Sequence, residues 1–172
     1  MSIQTMMLYG LIISNTLTQV NGNFQKFLEN TREETVIVES YCDEQEKNMI
    51  ALINKERASE GMPTLRGNAA LDQMAEIRVQ EIMALFSHDR PNDKTKAELI
   101  EEVGIQPLNY VAENIISGTV GSTAQSLMST FMKSDCHRAW ILSEEVNAVG
   151  VAIHRNEYNQ IYAVQVFGWF PA

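Results

Sequence analysis

NAALDQMAEIRVQEIMALFSHDRP, residues 68–91, decides how the rest of the chain is read. Leu71, Ala75, Val79, Ile82 and Phe86 recur at steps of three or four. That spacing puts them on one face of a helix, and no strand reproduces it. Asn68 stands before the stripe as a side-chain acceptor suited to an N-cap. Pro91 disfavours helical backbone at the residue before it, so the helix is expected to end near Ser87 and His88. Upstream, from Asp43, Met49, Ile50, Leu52 and Ile53 form another apolar helical face. Gly61 and Pro63 stop that helix. Residues 23–42 mix charge with a short β-like run, Thr35 to Val38, and read as a lead-in, not a core element.

Downstream, Lys96, Leu99, Ile100 and Val103 suggest a short helix ended by Gly104. NYVAENIISG, residues 109–118, reads as a strand. Ser122 and Gln125 have the spacing of a capping box, and the helix behind them buries Ala124, Leu127, Met128 and Phe131. After a break at Ser134 and Asp135 comes another helical turn with Trp140, Ile141 and Leu142. AVGVAIHR and QIYAVQVFGW alternate as two strands, joined by the turn NEYN. Helices and strands do not alternate regularly, which argues against a doubly wound parallel sheet. The order predicts an α+β fold with an antiparallel sheet packed between helices.

The 172 residues suit one domain with an extension, read as an extension over 1–42 followed by a domain over 43–172. A net charge of −9 repels phosphate backbones and argues against a nucleic-acid partner. The apolar stretch Met6 to Ile13 is too short to span a bilayer. It reads either as the hydrophobic part of a secretory signal or as an amphipathic element packing on the domain. Cys42 and Cys136 are consistent with a disulfide, two inert buried thiols or two unrelated residues.

Three polar groups stand at the ends or inside of apolar runs: His88 in FSHDRP, Glu113 in AENI and His137 in CHRAWIL. No local metal motif links them, so only the fold can bring them together. The alternative is three separate positions, with His88 at a helix C-terminus, Glu113 on an exposed strand and His137 capping a turn. A carboxylate at Glu113, between Val111-Ala112 and Ile115-Ile116, is costly unless a cation faces it. Two neutral imidazoles are good zinc or copper ligands, and a nearby carboxylate can orient one of them. His154, beside Arg155, reads as a solvated edge residue. Arg138 reads as a surface or capping residue, and Trp140 and Trp169 as core. Asn114 is expected to tie the strand to a loop. No nucleophile elbow or Ser-His-acid triad is visible.

ALINKERASEGMPTLRGNAALDQMAEIRVQEI, FSHDRP, AENI, CHRAWIL, VGVAI and YAVQVFGW occur in the order found in the bacterial branch of the CAP superfamily. The chain resembles this SCP/PR-1-like family of cysteine-rich secretory, antigen 5 and pathogenesis-related proteins from about Asp43 to Trp169. The resemblance implies an α-β-α sandwich with a central antiparallel sheet, and a cleft lined by histidine and acidic residues. It also implies a secreted or cell-surface location. By motif, His88 matches the first cleft histidine and Glu113 the acid of a Gly-Glu-Asn motif whose glycine is here Ala112. His137 matches the second histidine. Ser134 stands where many eukaryotic members carry a second acid, and Cys136 replaces a glycine.

These matches make His88, Glu113, His137 and Ser134 the expected ligand cleft, with His88 and His137 holding zinc or another divalent metal. The expected function is a non-catalytic binding module for a small molecule, lipid or protein partner. The alternative is a metal-dependent hydrolase with Glu113 as general base. A third reading is a surface interaction domain with a vestigial cleft.

Overall fold

The computed structural model describes residues 3–105 and 110–171. The chain divides into two units, Met1–Ser40 and Tyr41–Ala172. Helix α1 is Ile3–Ser59. In the first unit Phe24, Phe27, Val36 and Ile37 are exposed. The β-like run from Thr35 to Val38 is helical, because the helix continues on both sides of it. The side chains of Met6 to Ile13, and Asn109 at the expected start of a strand, lie outside the described residues.

The second unit continues with β1 (Arg66–Gly67), α2 (Ala69–Ala84), α3 (Lys96–Val103), β2 (Tyr110–Gly118), α4 (Ala124–Lys133), α5 (Asp135–Ile141), β3 (Ala148–Arg155) and β4 (Ile161–Trp169). The sheet runs β1-β3-β4-β2. β4 pairs antiparallel with both β2 and β3. The two-residue β1 pairs parallel with β3, so the sheet is mixed and not wholly antiparallel as expected.

Alternation along the strands sorts the core into two apolar layers. Ala112, Ile116, Val149, Val151, Ile153, Ala163 and Phe167 pack with Met49, Ile53 and the apolar faces of α4 and α5. Ile115, Ala148, Ala152, Val164 and Val166 pack on the other side with Leu71, Met74, Ala75, Val79 and Ile82 of α2 and Leu99 of α3. This is a helix–sheet–helix sandwich. Arg57, 1% exposed, ties α1 to the end of α5 by donating to the carbonyls of Pro63, Ile141 and Ser143. α2 comes so close to β3 that a Cβ at Gly150 would lie 2.1 Å from the carbonyl carbon of Leu71.

The cap of α2 is as expected: Asn68 Oδ1 accepts from the backbone of Ala70 and Leu71. The end is not. α2 stops at Ala84, Leu85 turns to extended backbone, and Phe86 leaves the stripe to stand 51% exposed. The capping box of α4 lies one residue later than expected, on Thr123 and Ser126. Ser122 instead closes a turn onto the Thr119 carbonyl, next to Gly121 at φ +81°. α3 ends as expected at Gly104, whose φ of +70° favours glycine.

Candidate functional site

β2 is an edge strand, and its two faces meet different helices. Ala112, Asn114 and Ile116 share the face toward α4 and α5, while Val111, Glu113 and Ile115 share the face toward α2 and α3. A cleft of about 250 Å³ lies against this strand, lined by His88, Lys96, Val111, Ala112, Glu113, Asn114, Cys136, His137 and Trp140. Two loop and helix segments distant in sequence thus bring His88 and His137 to one cavity.

Glu113 is 8% exposed, and its cation is Arg78, a buried residue on the apolar face of α2. Arg78 Nε donates to Glu113 Oε2 at 2.5 Å and Nη2 to Oε1 at 3.2 Å. His88 Nδ1–H donates to the same Oε1 at 2.9 Å. Three of roughly four acceptor sites of the carboxylate are therefore occupied. A carboxylate on Nδ1 fixes the imidazole tautomer and leaves Nε2 as the basic nitrogen.

The loop that carries His88 is held by a chain of charges that runs from buried Arg78 and Arg90 out to exposed Glu102. Arg78 Nη2 donates to the Ser87 carbonyl at 2.9 Å, and Arg78 also pairs with Glu81. Arg90, 5% exposed, bridges Glu81 at 2.8 Å and Glu102 at 3.1 Å. The His88 side chain itself stays 56% exposed.

His137 reaches the cleft from α5. Its ring stands edge-on to Phe131, centroids 5.2 Å apart. Burial pushes its pKa below the usual 6.5, and the proximity of His88 adds to the shift. Its carbonyl accepts from Asn114 Nδ2 at 3.0 Å, and the same amide donates to Gln165 Oε1. Asn114 thus plays a structural part, as expected, but it ties the edge strand to helix α5 and to β4, not to a loop. Its Oδ1 is buried without a hydrogen-bond partner.

Other expectations fare unevenly. Ser134 is the N-cap of α5 and does not line the cleft. Cys42 and Cys136 are free thiols, one buried and one exposed, and form no disulfide. Cys136 lines the cleft. Arg138 pairs with Glu60 at the surface. Trp140 lines the cleft and is only half-buried, while Trp169 is 38% exposed, so neither is plain core.

His154 is not a bare edge residue. Its Nε2 lies 2.8 Å from Glu76 Oε1, and its Nδ1 lies 3.0 Å from the Gln80 amide nitrogen. Ligand atoms of Glu46, Glu76 and His154 all lie within 4.8 Å of one another, the only such three-donor group among the described residues. Burial raises the Glu46 carboxyl to about 7, against a hydrogen bond from the Ile153 backbone that favours the ionised form. The bond to Glu76 holds His154 above its usual pKa.

Sequence reasoning missed Arg78, Lys96 and this second cluster. The signal for Arg78 was a charge on the same face as Leu71, Ala75 and Ile82. Nothing local marked Glu46, Glu76 and His154 as neighbours.

The family model described as "CAP: Cysteine-rich secretory protein family" matches residues 50–167. The chain belongs to this family. Among curated relatives, it is 27% identical to "Uncharacterized protein YkwD" of Bacillus subtilis over 108 residues, 62% of this chain and 41% of that protein. The chain therefore spans less than half the length of that relative. It is similar in structure to an extracellular protein containing a SCP domain from Bacillus anthracis, with TM-score 0.68, 18% identity, and 77% and 43% of the two chains covered. It is also similar to NaASP2, solved with Zn2+, with TM-score 0.52, 13% identity, and 72% and 79% covered. Among the described residues no helix is long and apolar enough to cross a membrane.

Proposed function

We propose that this protein is a secreted CAP-domain binding module. In this reading 43–172 is the working domain and 1–42 an extension. His88 and His137 take a divalent ion in the cleft, and an anionic small ligand drawn by Lys96 completes its coordination. The observation that carries this reading is the Glu113–His88 pair: the carboxylate is spent on orienting an imidazole and on Arg78. Such a carboxylate supports a ligand; with three of its roughly four acceptor sites engaged it is poorly placed to accept a proton from substrate or water. This favours binding over the hydrolase alternative.

The donor set fits zinc in type, since two imidazoles suit that ion and His137 is biased toward its neutral, ligating form. Two protein ligands are fewer than a closed structural site takes, which leaves positions for an outside ligand. Cys136 on the cleft wall is a further donor of the right softness. The extracellular relative and the zinc-containing neighbour are consistent with secretion and with metal at this fold.

Zinc titration by calorimetry tests the proposal on the full chain. The His88→Ala, His137→Ala double variant is expected to lose one zinc equivalent relative to the parent. Unchanged stoichiometry and affinity in that variant would reject the cleft as the metal site.

A further inference from the structure

The opposite edge of the sheet carries the second cluster. Beyond the short β1, the outer side of β3 has no strand neighbour among the described residues. An open edge leaves backbone groups to be satisfied by other means. Here carboxylates do it: Val151 N donates to Asp72 Oδ1 at 3.1 Å and Ile153 N to Glu46 Oε1 at 2.8 Å. Asp72, Glu76 and Gln80 follow at steps of four on α2, so one polar stripe faces this edge. Glu46 comes from α1, in the opposite helical layer.

We propose that Glu46, Glu76 and His154 form a divalent-metal site, distinct from the cleft, that takes a first-row transition ion such as zinc. Three features carry it. The donors come from three separate elements, α1, α2 and β3, one from each layer of the sandwich, yet their ligand atoms lie within 4.8 Å of one another. Tetrahedral zinc with bonds of about 2.0–2.1 Å spaces its ligands about 3.3 Å apart, so an ion here parts Glu76 and His154 slightly from 2.8 Å while the wider spacings of the trio, none above 4.8 Å, close around it. Both oxygens of Glu76 already face His154 Nε2, at 2.8 and 3.0 Å, so the ring nitrogen that would bind the ion already points at the carboxylate that would share it.

The third feature is Gln80. In the metal-free arrangement its amide N–H donates to Nδ1 and the ring Nε2–H donates to Glu76. Metal binding takes the Nε2 lone pair and moves the ring proton to Nδ1. Gln80 then turns its amide so that Oε1 accepts that proton, the kind of outer partner that fixes a metal-bound imidazole. One imidazole among two carboxylates favours zinc or its neighbours over calcium, which takes oxygen ligands alone. The ion fastens the two helical layers to the sheet at its exposed margin.

The test uses the full chain carrying His88→Ala and His137→Ala, so that the cleft cannot contribute. Calorimetry with zinc is expected to give one equivalent bound, undisturbed by excess calcium. Adding His154→Ala, or separately Glu76→Gln, is expected to weaken binding at least about tenfold. Glu76→Gln keeps the shape and a hydrogen bond to the ring, and circular dichroism verifies that it is folded. In the cleft double variant, zinc is expected to move the His154 ring nitrogens in 15N spectra. Absence of zinc binding in the double variant overturns the proposal, and so does binding that neither added substitution weakens. Neither result bears on the cleft, which is read from the loss between parent and double variant.

Discussion

Replacing Arg78 with methionine tests the arrangement that holds both Glu113 and the His88 loop. The Arg78 and Glu113 side chains are only 2% and 4% exposed, so their pairing is almost wholly desolvated. Methionine fills much of the same space but leaves Glu113 without its cation and the Ser87 carbonyl without its donor. Breaking one side of a buried pair costs about 3–5 kcal/mol, most of it the penalty for the orphaned charge. For a domain of this size that is a fall in Tm of about 10–20 °C. Thermal and urea unfolding at neutral pH measure it. The deficit should shrink when Glu113→Gln is added, which a double-mutant cycle quantifies. A loss below about 1 kcal/mol, the range of an exposed salt bridge, would refute the claim that this pair organises the site.

Gly150→Ala should cost about 3 kcal/mol or more by urea unfolding, because its Cβ would meet backbone atoms of Leu71 and Asp72, which cannot move alone. The histidines should titrate apart in NMR, His137 below 6.5 and His154 above it. Their effects on stability have opposite signs. The contribution of neutral His137 is lost as pH falls from 6.5 through its folded value. That of protonated His154 is full below 6.5 and lost as pH rises through its folded value. Thiol titration should label exposed Cys136 quickly and Cys42 slowly, since Cys42 is buried and burial raises its pKa; equal rates would contradict the packing.

Much of this was readable where one element's own periodicity decided the outcome. The Leu71–Ile82 stripe, the Asn68 cap, the stop at Gly104 and the terminal hairpin all follow from local chemistry. The end of α2 did not, because Phe86 continues the helical spacing while the Arg78–Ser87 contact pulls the chain into a loop. Thr35 to Val38 show the reverse case, a β-favouring run carried along by the helix on either side of it. β1 is too short to leave any pattern. His88, Glu113 and His137 were named from sequence, but not the means of their meeting, since an edge strand presents opposite faces to two helical layers. Arg78 was visible only as a charge among apolar neighbours. The Glu46, Glu76 and His154 grouping left no trace, with 78 residues separating even Glu76 from His154.

The central claim is that the fold wraps two imidazoles around strand β2 so that they share one guest. Zinc titration of the full chain, followed through the ring nitrogens of His88 and His137 in long-range 15N spectra, tests it most directly. Both rings are expected to shift along one saturation curve with a single affinity. Rings that respond at different zinc concentrations, or one ring that does not respond at all, would contradict it.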